Sequence, residues 1–497
     1  MVVGAGHNGL TAAAYLARAR RSVLVLERNL QVGGACTLDQ PFADPRWLVS
    51  PCAYVVGLLH PLVIAELDLA RHGYRAHVAD PASWCPFDDG RAFTEWLDPA
   101  RTAGEVARLA PGDVEGYLAY NDVYRRLRDR LRAPGDDVWV GPSPSRAELE
   151  ARLAGDAEAV EVVFSLSVAE LIERHIRSPE LATALHGGGV IGTWAGPRDE
   201  GTAGVRLLHS LGTIGGWGYV EGGMGRVSFA LADAAIEAGA AIACGAPVAA
   251  IEAGRGARLA GGELVEAAVV VSNADPVRTL ALYDGPVEAA FAAKVAGWSV
   301  ESPVVKVNCG LSRLPRFRAG GPGDPLPYRA MVTVATSMDD TQAAFSAARA
   351  GAVAPGWCEL YFHTAYDPSI APPGRHSMSV FAQYAPYRLA EGAWDSRRAE
   401  IGRAVLDAVA RVAPDVHDCV EEVQVLGPPD IEARTGLTGG HIFQGSCLPP
   451  QMWDHRFAPR TPLPGVYLCG AATHPGGSVI AINGRNAAMA VLADTGG

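Results

Sequence analysis

Gly4, Gly6 and Gly9 in GAGHNG, with Glu27 closing SVLVLE, are the residues whose spacing most directly implies chemistry. The glycines match G-x-G-x-x-G, a loop that brings bare backbone up to a pyrophosphate. Gly4 permits a tight turn, Gly6 leaves room for phosphate, and Gly9 lets a helix pack closely on a strand. Glu27 is placed to accept hydrogen bonds from a ribose diol and to repel a 2′-phosphate. With 57 glycines in 497 residues the fingerprint alone is weak, so its flanking elements decide its meaning.

Those elements are predicted in the required order. Val2 and Val3 make a short first strand, LTAAAYLARARR is a run of helix formers ending in arginines, and SVLVLE is a buried parallel strand. A second glycine pair, Gly33-Gly34, allows further close approach by a dinucleotide lying along the domain. YVEGGMGRVSFALADAAIEAG predicts a turn at Gly222, Gly223 and Gly225, then a helix, with two short strands after it. ELVEAAVVVSNADP predicts one buried strand ending near Asn273, Ala274 and Asp275. LPGVYLCGAATHPGGSVIAINGRNAAMAVLAD predicts a strand, a glycine-rich crossing and a terminal helix.

Between these segments the pattern is helical. PGDVEGYLAYNDVYRRLRDRL puts Val114, Tyr117, Leu118, Tyr124, Leu127 and Leu131 near one face. Ser167 and Glu170 form a capping box, Ser178 precedes Pro179 at a helix start, and Ile401, Val405, Val409 and Val412 mark another apolar face.

Composition removes several function classes. A formal charge of −12 argues against nucleic acid as a partner. Nine scattered cysteines without C-x-x-C describe neither a disulfide framework, a zinc site nor a thiol redox pair, so no metal is expected and a cytoplasmic location is. No run of 18 apolar residues predicts a spanning helix, and Val2-Val3 lead into the glycines without a signal-peptide pattern. RRLRDRLR over 125–132 is compatible with peripheral membrane contact and reads more simply as a solvated helix face. No motif specifies an oligomer.

The acid followed by Gly33-Gly34 resembles the two-dinucleotide-binding-motif flavoproteins. GAGHNGL, LERNLQVGGA, VEGGMGRV and CGAATHPGGSV together resemble the phytoene desaturase-like superfamily of FAD-dependent oxidoreductases. GHNGLTAAAYLARA, YVVGLLHP and GRNAA resemble its branch of bacterial relatives of pyridine nucleotide-disulfide oxidoreductase domain-containing protein 2. The resemblance implies an α/β fold: a Rossmann-like FAD-binding domain with an inserted α+β substrate domain. It assigns 1–80, 210–300 and 430–497 to FAD and 81–209 and 301–429 to substrate. It extends the cofactor set from Gly4, Gly6, Gly9, Glu27, Gly33 and Gly34 to Arg28, Ala35, Val248, Ala274, Gly470, Ala471, Gly476, Gly477 and Ile480. Ala471 stands where many relatives carry an acid.

Hydride transfer to a flavin needs a substrate C–H held against the ring in a dry pocket, so an unmistakable catalytic constellation is not expected. The resemblance places His474 near the flavin, and Tyr54 and His441 are further pocket candidates, each weighed against plain packing. His209 and Trp217 are candidates for a cavity wall, and His7 lies too far from the flavin ring to link to it covalently. Lys306, in PVVKVNCG, resembles the lysine that some amine-oxidising flavoenzymes use to hold a water, although a strand lysine reaching to solvent is the commoner case. The expected function is an FAD-dependent dehydrogenase or desaturase. It takes hydride from a largely apolar small molecule, forms C=C or C=N, and passes electrons to oxygen, a quinone or another carrier. An amine oxidase releasing hydrogen peroxide, a redox-neutral isomerase and a non-catalytic FAD-binding assembly protein are the alternatives.

Overall fold

Val2–Val3, Leu24–Leu26, Ala241–Ala243, Val270–Ser272 and Val466–Leu468 are short apolar runs, and all pair in parallel within one sheet. The computed structural model describes residues 1–212, 216–321 and 323–496. Across this five-stranded sheet the order is Val466–Leu468, Val270–Ser272, Val2–Val3, Leu24–Leu26, Ala241–Ala243. The glycine loop therefore leaves the central strand, between the strands that lead into Glu27 and into Asn273.

The first helix, His7–Arg18, packs against both Gly225–Glu237 and the terminal helix Ile482–Asp494. Such crowding explains its composition: Ala12, Ala13 and Ala14 are completely buried, and larger side chains would hold the helices apart. The approach is closest at Gly484, where a Cβ would lie 2.1 Å from the Asn8 carbonyl oxygen. ELVEAAVVVSNADP departs from its predicted single strand. Leu264–Glu266 joins Val248–Glu252 and Gly256–Leu259 in a three-stranded antiparallel sheet, and Val270–Ser272 enters the parallel sheet. The break falls at small residues between the two.

A second, seven-stranded sheet runs in the order Val420–Leu426, Val304–Leu311, His376–Gln383, Trp357–Tyr361, Met331–Ala335, Ser83–Pro86, Ala92–Glu95. Its period-2 alternation divides the side chains cleanly. Val305, Val307, Val332, Val334, Cys358, Leu360, Val380 and Ala382 share a core with Ile401, Val405 and Val409 of the helix Trp394–Ala410. Lys306, Thr333, Glu359 and Phe381 fall on the opposite face, because Lys306 and Glu359 both pair with Phe381 and Thr333 pairs with Glu359.

Helices between Pro99 and Ser210 complete the fold. Val114–Leu131 buries Tyr117, Tyr120, Val123, Tyr124, Leu127 and Leu131. Leu118, expected on that face, is 47% exposed, because Tyr120 and Val123 occupy the packed side. Along 125–132, Arg125 pairs with Asp122 and Asp129, and Arg126 with Asp156, as a solvated face would. The Ser167–Glu170 capping box and the Ser178 cap both form. Among the described residues no helix is long and apolar enough to cross a membrane.

Candidate functional site

The glycine loop has little room for anything but glycine. Gly4 adopts φ +95°, and its N–H donates to the Leu26 carbonyl at 2.8 Å. A Cβ on Gly6 would lie 2.6 Å from Asn273 Nδ2, and one on Gly9 would lie 2.2 Å from the Gly4 oxygen. Gly33 (φ +120°) donates to the Ala5 carbonyl at 2.8 Å, tying the second glycine pair to the first loop. Glu27 is buried, with Oε2 accepting from Ala5 N–H at 2.8 Å and Oε1 from Asn29 N–H at 2.9 Å. Its carboxylate thus braces the loop besides facing the cavity.

A cavity of about 410 Å³ runs from this loop into the space between the two sheets. Gly4, Gly6, Glu27, Arg28, Gly33, Gly34, Ala35, Val248, Ala274 and Ala471 all line it. The first helix starts at its wall with no side-chain cap, so first-turn N–H groups are free for an anion. Among the described residues, His7 Nε2 and Asn8 Oδ1 of the same wall are buried without a partner. Bare glycines, a buried acid on the wall, an uncapped helix start and orphaned polar atoms together fit a dinucleotide diphosphate such as FAD.

Other expected cofactor residues stand outside that lining. A Cβ on Gly470 would meet Gln444 Oε1 at 2.4 Å, and one on Gly477 would meet Phe443 Cβ at 2.3 Å. Gly470 and Gly477 therefore allow close packing of the 443–444 segment, whose Phe443 and Gln444 do line the cavity. Gly9 stands behind the loop, Gly476 beside Arg456, and the fully buried Ile480 holds His60 N–H through its carbonyl. Ser478 and Val479 present the cavity wall instead.

The histidine candidates also point elsewhere. His474 Nε2 lies 2.6 Å from the Val138 carbonyl, and burial pulls its pKa down to about 4. His441 Nδ1 accepts from Phe443 N–H at 3.2 Å, and burial pulls it down to about 3. Neither lines the cavity; both have the geometry of packed, neutral histidines. Tyr54, by contrast, is on the wall, as are His209 and Trp217.

The far end of the cavity carries a group only partly legible in sequence. Lys306 is 1% exposed and does not reach solvent; its Nζ donates to Asn308 Oδ1 at 3.1 Å and to Ser379 Oγ. It also lies 4.1 Å from the centroid of the Tyr54 ring. Glu359 is buried, and Oε2 accepts from the Tyr361 hydroxyl at 2.9 Å and from Tyr54 at 3.4 Å. Burial disfavours both charges, lowering the lysine to about 7 and raising the glutamic acid to about 7, with the two tyrosine bonds drawing the latter partway back. Sequence reading missed Glu359, although an acid at the centre of the apolar strand WCELY was the available signal.

Glu359, Ile191, His209 and Trp217 also line a second cavity of about 630 Å³. It extends past Thr333 and Trp357 to the helix Val114–Leu131. One row of the seven-stranded sheet therefore leads from Lys306 and Phe381 in the first cavity, through Glu359 in both, to Thr333 in the second.

Comparison with known proteins agrees with this architecture. The profile of the family described as flavin containing amine oxidoreductase matches residues 9–492. Pyridine nucleotide-disulfide oxidoreductase domain-containing protein 2 of Mus musculus is 32% identical, across 99% of this chain and 93% of its own length. A limonene dehydrogenase subunit of Castellaniella defragrans is 28% identical, across 100% and 94%. Hydroxyneurosporene desaturase of Cereibacter sphaeroides is 27% identical, across 99% and 97%. Among solved structures, putrescine oxidase bound to putrescine superposes with a TM-score of 0.62 at 17% identity, covering 99% of this chain and 98% of that one.

Proposed function

From the premise that the chain belongs to the flavin containing amine oxidoreductase family and is an FAD-dependent oxidoreductase, we propose that it is a dehydrogenase or desaturase of a largely apolar small molecule. The substrate loses a hydride and a proton and gains a C=C or C=N bond. The observation that carries this reading is Glu359, a buried carboxyl at the partition between the dinucleotide-shaped cavity and the second cavity. When bound, FAD supplies the hydride acceptor, and oxygen, a quinone or another carrier then takes the electrons.

The protein residues do the rest. A substrate in the second cavity meets Glu359 at its inner end, where Oε1 is free to take the proton while Tyr361 holds Oε2. Ile191 and Trp217, which border both cavities, exclude water and keep the reacting carbon in place. The names of two relatives, the limonene dehydrogenase subunit and hydroxyneurosporene desaturase, favour C=C formation. Lys306, buried at the same end, favours the second reading, an amine oxidase releasing hydrogen peroxide. In this assignment 1–80, 210–300 and 430–497 hold the cofactor, and 81–209 and 301–429 shape the substrate site. Nine free cysteines favour a cytoplasmic location.

The test is anaerobic bleaching of the purified yellow protein against panels of alkenes, alicyclic compounds and amines. Glu359→Gln is expected to slow bleaching by about 10²–10⁴-fold while FAD stays at one per chain. Unchanged bleaching in that variant removes Glu359 as proton acceptor, and a protein that refuses FAD removes the oxidoreductase reading.

A further inference from the structure

The second cavity holds a cation that makes no ion pair at contact distance among the described residues. Arg206, on the helix Thr202–Ser210, lines it, and among the described residues no carboxylate lies within 4 Å of the guanidinium. Among the described residues its Nε is buried without a partner, and its one hydrogen bond, from Nη1 to the Leu185 carbonyl, is long at 3.4 Å. The side chain lies over bare backbone: a Cβ on Gly188 would stand 2.9 Å from Nη1. The rings of Tyr120 and Tyr124, each 5.2 Å from Cζ, form the other side of the seat. Their faces offset part of the desolvation of the charge but leave its donors unused.

The nearby acid favours the Arg206 charge from a distance, but its oxygens are hydrogen-bonded to other residues. Glu95 lines the same cavity, where its two oxygens accept from Tyr117 at 3.2 Å and from Ser83 at 3.1 Å. A positioned guanidinium with unused donors in a cavity is a carboxylate receptor, because its planar fork matches two oxygens at once.

Position along the helix adds the connection to chemistry. His209 stands three residues beyond Arg206, on the same face one turn away, and borders both cavities, whereas Arg206 borders only the second. We propose that Arg206 binds the carboxylate of the substrate, so that the substrate is an organic acid whose oxidised carbon lies a few bonds from its carboxyl group. The proposal rests on the reading of Glu359 as the inner end of the substrate site and narrows its substrate class: an apolar body with an anionic head. Tyr120 and Tyr124 position the guanidinium; the acid and its reacting carbon are separated by the distance between the helix seat and the sheet row.

Binding is read without turnover. Trp96, Trp217 and Trp357 line the cavity, so quenching of tryptophan fluorescence in the holoenzyme reports occupancy. The probes are straight-chain monocarboxylates of four to twelve carbons, their methyl esters and alkyl phosphates of matching length. The wild-type protein is expected to bind the acid of best length at least tenfold more tightly than its ester. Arg206→Leu is expected to weaken acid binding by about ten- to a hundredfold and to leave ester binding within about twofold, and Arg206→Lys to restore part of the loss. Equal affinity of acid and ester in the wild type overturns the proposal even if the variant does not fold, as does failure of every acid to bind. A preference for alkyl phosphates that survives Arg206→Leu also overturns it. Failure here with Glu359→Gln still slowing bleaching leaves the function reading standing; acid binding with no bleaching by any substrate overturns that reading and keeps the receptor.

Discussion

Lys306 and Glu359 stand in one row of the seven-stranded sheet, each paired with Phe381, and Tyr54 spans the gap between them. The lysine amine faces the Tyr54 ring at 4.1 Å, and the phenol of Tyr54 reaches Glu359 Oε2 at 3.4 Å. Two groups of opposite charge type, both brought near neutrality by burial, therefore share one aromatic spacer. Burial lowers the lysine and raises the carboxyl toward neutrality, which suits proton exchange with a substrate.

The first consequence concerns pH and stability. Burial raises the Glu359 carboxyl from 4.5 to about 7, so the folded chain holds a proton that the unfolded chain releases. The stabilisation is full below 4.5 and is lost as pH rises to about 7. Glu359→Gln keeps a neutral side chain at every pH. The Tm of the variant minus that of the wild type should rise between those two values and then level off. A flat difference across the window refutes the buried acid.

Tyr361 tunes that acid. Its 2.9 Å bond to Oε2 favours the carboxylate, and Tyr361→Phe removes it. The rising limb of the pH–bleaching profile should move upward by about one pH unit, the equivalent of one hydrogen bond to a charge. A shift downward, or a pure loss of rate with no shift, contradicts the assignment.

Lys306 separates the two readings of the reaction. Lys306→Met is expected to retain substrate-dependent bleaching within about threefold if a C–C bond is desaturated, since a similarly shaped apolar chain costs little in this strand. Collapse of both bleaching and peroxide release, with FAD still bound, would favour the amine oxidase.

The glycine loop offers a cofactor test independent of substrate. In Gly6→Val the new side chain meets Asn273 Nδ2, 2.6 Å from the Cβ position, on the cavity wall. The variant should purify colourless with its circular dichroism retained. Yellow protein with the usual FAD content counts against the site.

Gly484 tests the helix crossing behind that loop. A Cβ there lies 2.1 Å from the Asn8 oxygen, so Gly484→Val must push the terminal helix away from the first. The expected cost is about 1–3 kcal/mol, a fall in Tm of several degrees, with weakened FAD retention because the same first helix starts at the cavity.

By itself the sequence determined the glycine loop and the acid beside it, which line the cavity. Gly4, Gly6 and Glu27 sit within 27 residues, and contiguous spacing of that kind is dictated by local backbone geometry, which a linear pattern records. Capping at Ser167 and Ser178 was legible for the same reason. The chemistry between the cavities was not. Lys306 and Glu359 are 53 residues apart, and neither carries a spacing signal. They share one row and face because antiparallel pairing through His376–Gln383 sets their register, and because period-2 alternation turns both away from the apolar core beneath the helix Trp394–Ala410. His474 and His441 show the converse: their motifs lie close to the site in sequence, but tertiary packing ties them to the Val138 carbonyl and the Phe443 amide, away from the cavity. Local geometry is written in neighbouring residues, whereas which side chains share a cavity is decided only when sheets and helices close over it.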